Sequence, residues 1–328
     1  MAHITLLAYP NCSVSSLICP IDSLGVANTW LQSQAGEKEK GPPLFTWDIV
    51  TPDGKPVEGF GRIPVYPHRA MEDIGETDVV LIPGFIPPME FIGKVPGNLV
   101  DWFFRMHEQQ TLIGTICTGT FLLAETGLLD GREVTTNWAY ARLFKKLYPK
   151  IRLKPERLLT VDGNFICSGA ATAYMELCLY LIEKFGSQDL AVSCSKLLLI
   201  DWNRKSQAPY FIFEFQKNHS DDTVLKAQNY MEKNLAEPVS FDAMAATLGI
   251  SARHLKRRFK QATGDSPQTY LQRLRVETAK RKLETTLDSF EGITWKVGYE
   301  NTNSFRRLFK ENTGLTPREY RDRFSRSG

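Results

Sequence analysis

The 328-residue chain predicts an α/β domain built on a parallel sheet, followed by a smaller all-α domain with two helix-turn-helix motifs. Three observations lead there. Short apolar runs alternate with helical stretches over the first two thirds. The last third repeats itself at an offset of 50 positions. Charge also divides unevenly: residues 1–220 hold 20 Lys and Arg against 23 Asp and Glu, net −3, whereas residues 221–328 hold 20 against 14, net +6. A basic module joined to a mildly acidic body suits a nucleic-acid-binding segment, although a solvated basic face has the same balance.

In chain order, Ile4 to Ala8 is a short apolar strand, Asp78 to Gly84 is a buried strand ending in a turn, and Leu112 to Cys117 is a strand running into Gly119 and a helix. Parallel sheets bind ligands at the carboxyl ends of their strands, where Gly84 and Cys117 fall. A cysteine beside a helix N-terminus is expected to favour its thiolate, as a nucleophile requires. A thiol nucleophile also needs an oriented base, and none of His3, His68, His107, His219 or His254 adjoins Cys117 in sequence. The other cysteines, Cys12, Cys19, Cys167, Cys178 and Cys194, stand in apolar or small-residue contexts and read as packing residues.

Composition narrows the class. The chain is 42% hydrophobic and 23% charged, an ordinary globular balance. It has no apolar run of about 18 residues, the span needed to cross a membrane, and Ala2 to Pro10 lacks a basic leader and a small-residue cleavage site. The six cysteines include no C-x-x-C pair. These features predict a cytoplasmic protein with neither disulfide framework nor metal, and no cofactor is expected.

The polar segment Asn218 to Asp222 follows the aromatic run Tyr210 to Phe215 and marks the expected boundary, giving domains 1–217 and 218–328. Beyond it, the 50-residue offset aligns Leu255 with Phe305, Arg257 with Arg307, Phe259 with Phe309, Gly264 with Gly314, Pro267 with Pro317 and Tyr270 with Tyr320. In each copy a glycine able to cap a helix precedes Ser-Pro or Thr-Pro, which starts the next helix. Phe241, Met244, Ala245 and Leu248 form a helical stripe, Gly249 breaks it and Ser251 caps the following helix. Ile293, Val297, Gly298 and Asn301 repeat the pattern, with a turn one residue longer. Gln268 to Thr286 has no internal Gly or Pro and reads as one connecting helix that fixes the distance between the motifs. With Leu255 and Phe259 inward, Arg253, Lys256, Arg257 and Lys260 face out, and the second copy presents Asn303, Arg306, Arg307 and Lys310. Such residues supply phosphate attraction and bidentate bonds to guanine and adenine edges in double-stranded DNA.

These residues carry two resemblances. The strings LGISARHLKRRFKQATGDSPQTYLQRLRVETAKRKL and VGYENTNSFRRLFKENTGLTPREYRDRF resemble the DNA-binding domain of the AraC/XylS transcriptional regulators, whose two motifs enter successive major grooves. Thr294 departs from the small apolar residue usual there. VVLIPGF, IGTICTGTFLLAETGLLDGREVTTNWAYARLFKKLYP and RLLTVDGNFICSGAATAYMELCLYLIEKFG resemble the flavodoxin-like ThiJ/PfpI branch of the class I glutamine amidotransferase-like superfamily, particularly the GlxA-type regulators. Cys117 matches the superfamily's elbow cysteine. Thr118 stands where hydrolytic members have histidine, Ser16 where an acid supports the thiolate, and Asn137 where GlxA-type chains commonly carry histidine before Trp138. The resemblance thus implies a non-catalytic ligand-sensing and dimerisation domain, with Gly84, Phe85, Cys117, Thr118, Asn137 and Trp138 as candidate ligand-binding residues. It implies a homodimeric activator responding to a small molecule such as an amino acid or amine. A cysteine-dependent amidase or glyoxalase-like enzyme, or a redox switch through Cys117, stands as the alternative.

Overall fold

The first apolar run of the chain becomes a central strand. In the computed structural model, which describes residues 1–35, 41–201, 204–213 and 216–325, the chain divides into two units, Met1–Gln207 and Ala208–Gly328. Unit 1 begins with β1 (Ala2–Leu7), α1 (Ser15–Gln34) and β2 (Phe45–Thr51). The short strands β3 (Val57–Gly59), β4 (Ile63–Val65) and β5 (Arg69–Ala70) lead to β6 (Val79–Ile82). Then come α2 (Gly97–Glu108), β7 (Leu112–Ile116), α3 (Gly119–Ala124), β8 (Glu133–Val134), α4 (Ala141–Leu147) and β9 (Arg152–Leu153). The unit ends with β10 (Leu159–Asp162), β11 (Phe165–Ser168), α5 (Tyr174–Phe185) and α6 (Gln188–Leu197).

Among the described residues, seven strands form one sheet in the order β10-β11-β7-β6-β1-β2-β5. It is parallel except for the antiparallel β10–β11 pair at its edge. All of β6 is buried, the continuous apolar pattern of a parallel strand covered on both faces. α1, α5 and α6 pack together, and α2 turns Leu99, Trp102, Phe103 and Met106 inward at helical spacing. One core runs from Ala2 to Cys194. From β1 the chain steps outward to β2 and β5, then returns to β6 on the other side of β1. That reversal opens a crevice between the loops following β1 and β6, where open α/β sheets hold ligands.

Unit 2 is helical: α7 (Asp222–Lys233), α8 (Phe241–Thr247), α9 (Ala252–Thr263), α10 (Pro267–Thr285), α11 (Phe290–Lys296), α12 (Thr302–Thr313) and α13 (Pro317–Phe324). The repeat is visible in the caps. Ser251 and Asn301 accept bonds from the backbone N–H three residues on, and Gly264 and Gly314 end α9 and α12 at φ 83° and 72°, a conformation that favours glycine. Two small cores result. Tyr270, Leu271 and Leu274 of α10 pack with Val224, Met231, Met244, Leu255 and Phe259, while Val276, Ala279 and Leu283 pack with Ile293, Val297, Phe305, Phe309 and Tyr320. Consecutive halves of one helix therefore belong to different motifs. Thr294 is buried without strain on the polar balance, since its Oγ1 donates to Phe290 O at 2.7 Å.

The division at Gln207 precedes the break that polarity suggested at 217/218, because the aromatic segment joins the helical unit: Phe213 packs edge-on against Tyr270 at 5.1 Å. Phe215 lies outside the described residues. Among the described residues no helix is long and apolar enough to cross a membrane.

Candidate functional site

Cys117 follows β7 directly and takes φ +56°, a left-handed conformation that a non-glycine residue rarely adopts. The turn brings the start of α3 so near β6 that a Cβ on Gly119 would lie 2.5 Å from Pro83 O and 2.8 Å from Ile82 O. Only glycine fits there. Cys117 Sγ accepts a hydrogen bond from Asn137 Nδ2 at 3.5 Å, and its thiol is buried. Burial pushes the thiol pKa up, against smaller opposing contributions from Asn137 and Thr118. This corrects the expectation from the helix terminus: desolvation outweighs it, and the group is held as the neutral thiol.

The three positions where the resemblance led one to expect acid-base groups, Thr118, Ser16 and Asn137, are committed to structure. Thr118 Oγ1 accepts from Phe85 N and donates to Phe85 O, both at 2.6 Å. Ser16 Oγ accepts from Gly84 N at 2.9 Å and donates to Ser13 O at 2.7 Å. Asn137 Oδ1 accepts from Ala139 N and caps the short turn that contains half-buried Trp138. Gly84 sits beside the cysteine, 3.3 Å separating its virtual Cβ from Cys117 Cβ. Among the described residues no histidine bonds to Cys117.

A cavity of about 220 Å³ opens beside this cluster at the reversal in strand order, between the loop after β1 (Tyr9, Pro10, Asn11) and the loop after β6 (Phe85, Pro88 to Phe91, Lys94). Of the six expected ligand residues, Phe85 lines it; Gly84, Cys117, Thr118, Asn137 and Trp138 do not. Three rings build the wall, with centroids 4.7 Å apart for Phe85–Phe91, 6.3 Å for Tyr9–Phe85 and 6.4 Å for Tyr9–Phe91. Burial raises the Tyr9 phenol above its ordinary value, so it is a neutral donor. The far loop is tied down at both ends, by Thr118 at Phe85 and by Glu125 Oε2, which accepts from Gly93 N at 2.6 Å. Tyr9, Glu90, Phe91 and Lys94 were missed from sequence; the available signal was Tyr9 directly after the first strand and the pair Phe85 and Phe91 in the loop after β6.

On unit 2, Arg253, Lys256, Arg257 and Lys260 of α9 and Asn303, Arg306, Arg307 and Lys310 of α12 are all exposed. None of these cations forms an ion pair with a described residue, whereas Arg258 on the inner side pairs with Asp221 through two bonds of 2.7 and 2.8 Å. Arg306 Nη1 donates to Asn303 Oδ1 at 2.8 Å and its guanidinium lies 5.8 Å from the Phe290 ring centroid.

A parallel α/β domain with an elbow cysteine, followed by duplicated helix-turn-helix motifs with basic outer faces, defines an effector-controlled DNA-binding regulator of transcription. Residues 44–184 match the DJ-1/PfpI family and residues 244–323 the helix-turn-helix domain, so the chain joins a DJ-1/PfpI-type domain to an AraC-type DNA-binding domain, as the GlxA-type resemblance implied. It is 24% identical over 319 residues to the HTH-type transcriptional regulator GbdR of Pseudomonas aeruginosa, covering 97% of this chain and 83% of that one. Against the HTH-type transcriptional regulator GlxA of Rhizobium meliloti it is 29% identical over 234 residues, 66% of this chain and 71% of that one. Its fold is similar to the crystal structure of Drosophila melanogaster DJ-1beta, with a TM-score of 0.51 and 18% identity over 61% of this chain and 99% of that one.

Proposed function

We propose that the protein is a homodimeric transcriptional activator whose DJ-1/PfpI-type domain binds an amino acid or small amine without turning it over. The observation that carries this reading is the cavity at the reversal in strand order, walled by Tyr9, Phe85 and Phe91 and flanked by Glu90 and Lys94. Aromatic faces attract a cationic group, and one acid and one base offer partners to both ends of a zwitterion. The 220 Å³ volume suits a small metabolite. Neutral Cys117, with no base bonded to it, supports binding over catalysis. The eight exposed side chains on α9 and α12 are the proposed DNA contacts, and the effector acts through its different affinity for DNA-competent and DNA-incompetent states.

The test is selection of bound sequences from a random DNA pool by the full-length protein at two salt concentrations, followed by titration of the selected site with a panel of amino acids and amines. The expected result is a bipartite motif and a panel member that changes site affinity, with the change lost in Phe91→Ala and kept in Cys117→Ser. Consumption of the ligand, abolished in Cys117→Ser, would overturn the non-catalytic reading.

A further inference from the structure

The two reading helices are duplicates that have not stayed equivalent. Offset by 50 residues, Arg253 corresponds to Asn303 and Lys256 to Arg306, while Arg257 and Lys260 match Arg307 and Lys310 in kind. Phe241 opens α8 directly after its Ser240 cap, as Phe290 opens α11 after Ser289. In the second motif these positions form an assembly: Asn303 Oδ1 holds Arg306 Nη1 at 2.8 Å, Phe290 lies under the guanidinium at 5.8 Å, and Phe290 is itself stacked on Phe305 at 5.6 Å and 7°. Phe305 is fully buried, so the brace is anchored in the core of the motif. In the first motif Lys256 and Arg253 make no hydrogen bond, ion pair or ring contact with a described residue, and both are exposed.

We propose that Arg306 is a specificity-determining residue for a guanine in the half-element facing α12, held in position by Asn303 and Phe290, while the corresponding Lys256 contributes sequence-independent attraction. The proposal rests on the DNA-binding reading above. A guanidinium is a planar fork that matches guanine O6 and N7 with two parallel bonds, whereas an ammonium is a mobile point charge. With one Nη1 hydrogen turned to Asn303, the remaining donors stay available. A side chain already ordered loses less freedom on binding, so its contribution concentrates on the base that fits it. Asn303 acts as a positioning residue, since its oxygen is occupied by Arg306. The half-element facing α12 is therefore read strictly at that base pair, and the one facing α9 more loosely at the matching pair.

Full-length wild-type protein and variants are titrated on the selected site and on probes carrying each of the other three base pairs at every position of the α12 half-element. Wild type is expected to prefer one G·C pair by about 10-fold or more. Arg306→Lys, which keeps the charge, brings that preference below about 3-fold and leaves the salt dependence unchanged. Asn303→Ala lowers the preference at the same pair, and Asn303→Asp, which keeps an acceptor, retains it. Lys256→Ala weakens all probes alike and reduces the salt slope by about 1. Retained preference in Arg306→Lys, with a motif still enriched by wild type, overturns this inference alone. Absence of any enriched motif overturns it together with the two-motif reading.

Discussion

Replacing Thr118 by valine tests whether this position, histidine in the hydrolytic proteins that the domain resembles, is structural here. Valine keeps the shape of threonine but removes the hydroxyl that both accepts from Phe85 N and donates to Phe85 O, each at 2.6 Å in a fully buried setting. Two main-chain groups are then left without those partners. An orphaned buried polar group costs about 1–3 kcal/mol, so the substitution should cost the α/β unit about 2–6 kcal/mol. At a slope of about 2 kcal/mol per molar urea, the unfolding midpoint falls by about 1–3 M. Urea titration of the full-length protein, followed by tryptophan emission, measures this, since five of the six tryptophans lie within residues 1–207. Thr118→Ser keeps the hydroxyl and should lose only about 1 kcal/mol for the missing methyl. A Thr118→Val protein within about 0.5 kcal/mol of wild type, below the cost of a single orphaned group, would refute the assignment of Thr118 as a main-chain clamp.

Arg257→Ala and Arg307→Ala should each weaken specific DNA binding by about 1–3 kcal/mol if the side chain reads a base; wild-type affinity in both, measured by titration of the selected site, would contradict the assignment of the outer face. Cys117, its pKa raised by burial, holds less thiolate near neutral pH than an ordinary cysteine, so alkylation should be slower than for free cysteine and accelerate with alkali; rapid modification at neutral pH with the fold intact would count against the neutral thiol. The Asp221 carboxyl is held below its ordinary value, first by its bond to Arg258, so the stability it lends is present above that ordinary value and is lost as pH falls through the lowered one. Asp221→Asn keeps a capping side chain but loses the charge, and its unfolding midpoint should vary less with pH in the acid range than that of wild type; identical profiles would exclude the pair as a source of pH dependence.

The helical unit was legible because its information is local and duplicated. Ser251, Asn301, Gly264 and Gly314 act at the positions their types indicate, and the buried stripe Tyr270, Leu271, Leu274, Ala279 and Leu283 follows helical spacing. Lys280 of the same helix escaped notice, since lysine is seldom buried; its ammonium bonds to Glu277, three residues earlier on the helix, and to Phe211 O, a distant partner that spacing does not reveal. The strands of unit 1 were readable as apolar runs, but the cavity was not. It depends on β1 lying between β2 and β6, a pairing of Ile4 with Val79 across the sequence that no local pattern encodes. The thiolate expectation failed for a related reason: helix position is a local property and burial is a global one.

Because consecutive halves of α10 are built into different cores, the helix works as a ruler without an adjustable joint. Its 19 residues extend about 28 Å. Inserting one base pair between two half-elements moves one of them by about 3.4 Å and turns it by about 34° around the DNA axis. Adding one residue to the helix would instead rotate the second motif by about 100°, a mismatch no single base pair can absorb. On the proposed two-motif reading, binding sites for this protein drift by base substitution far more readily than by insertion, and a promoter entering its control must acquire both half-elements already in phase.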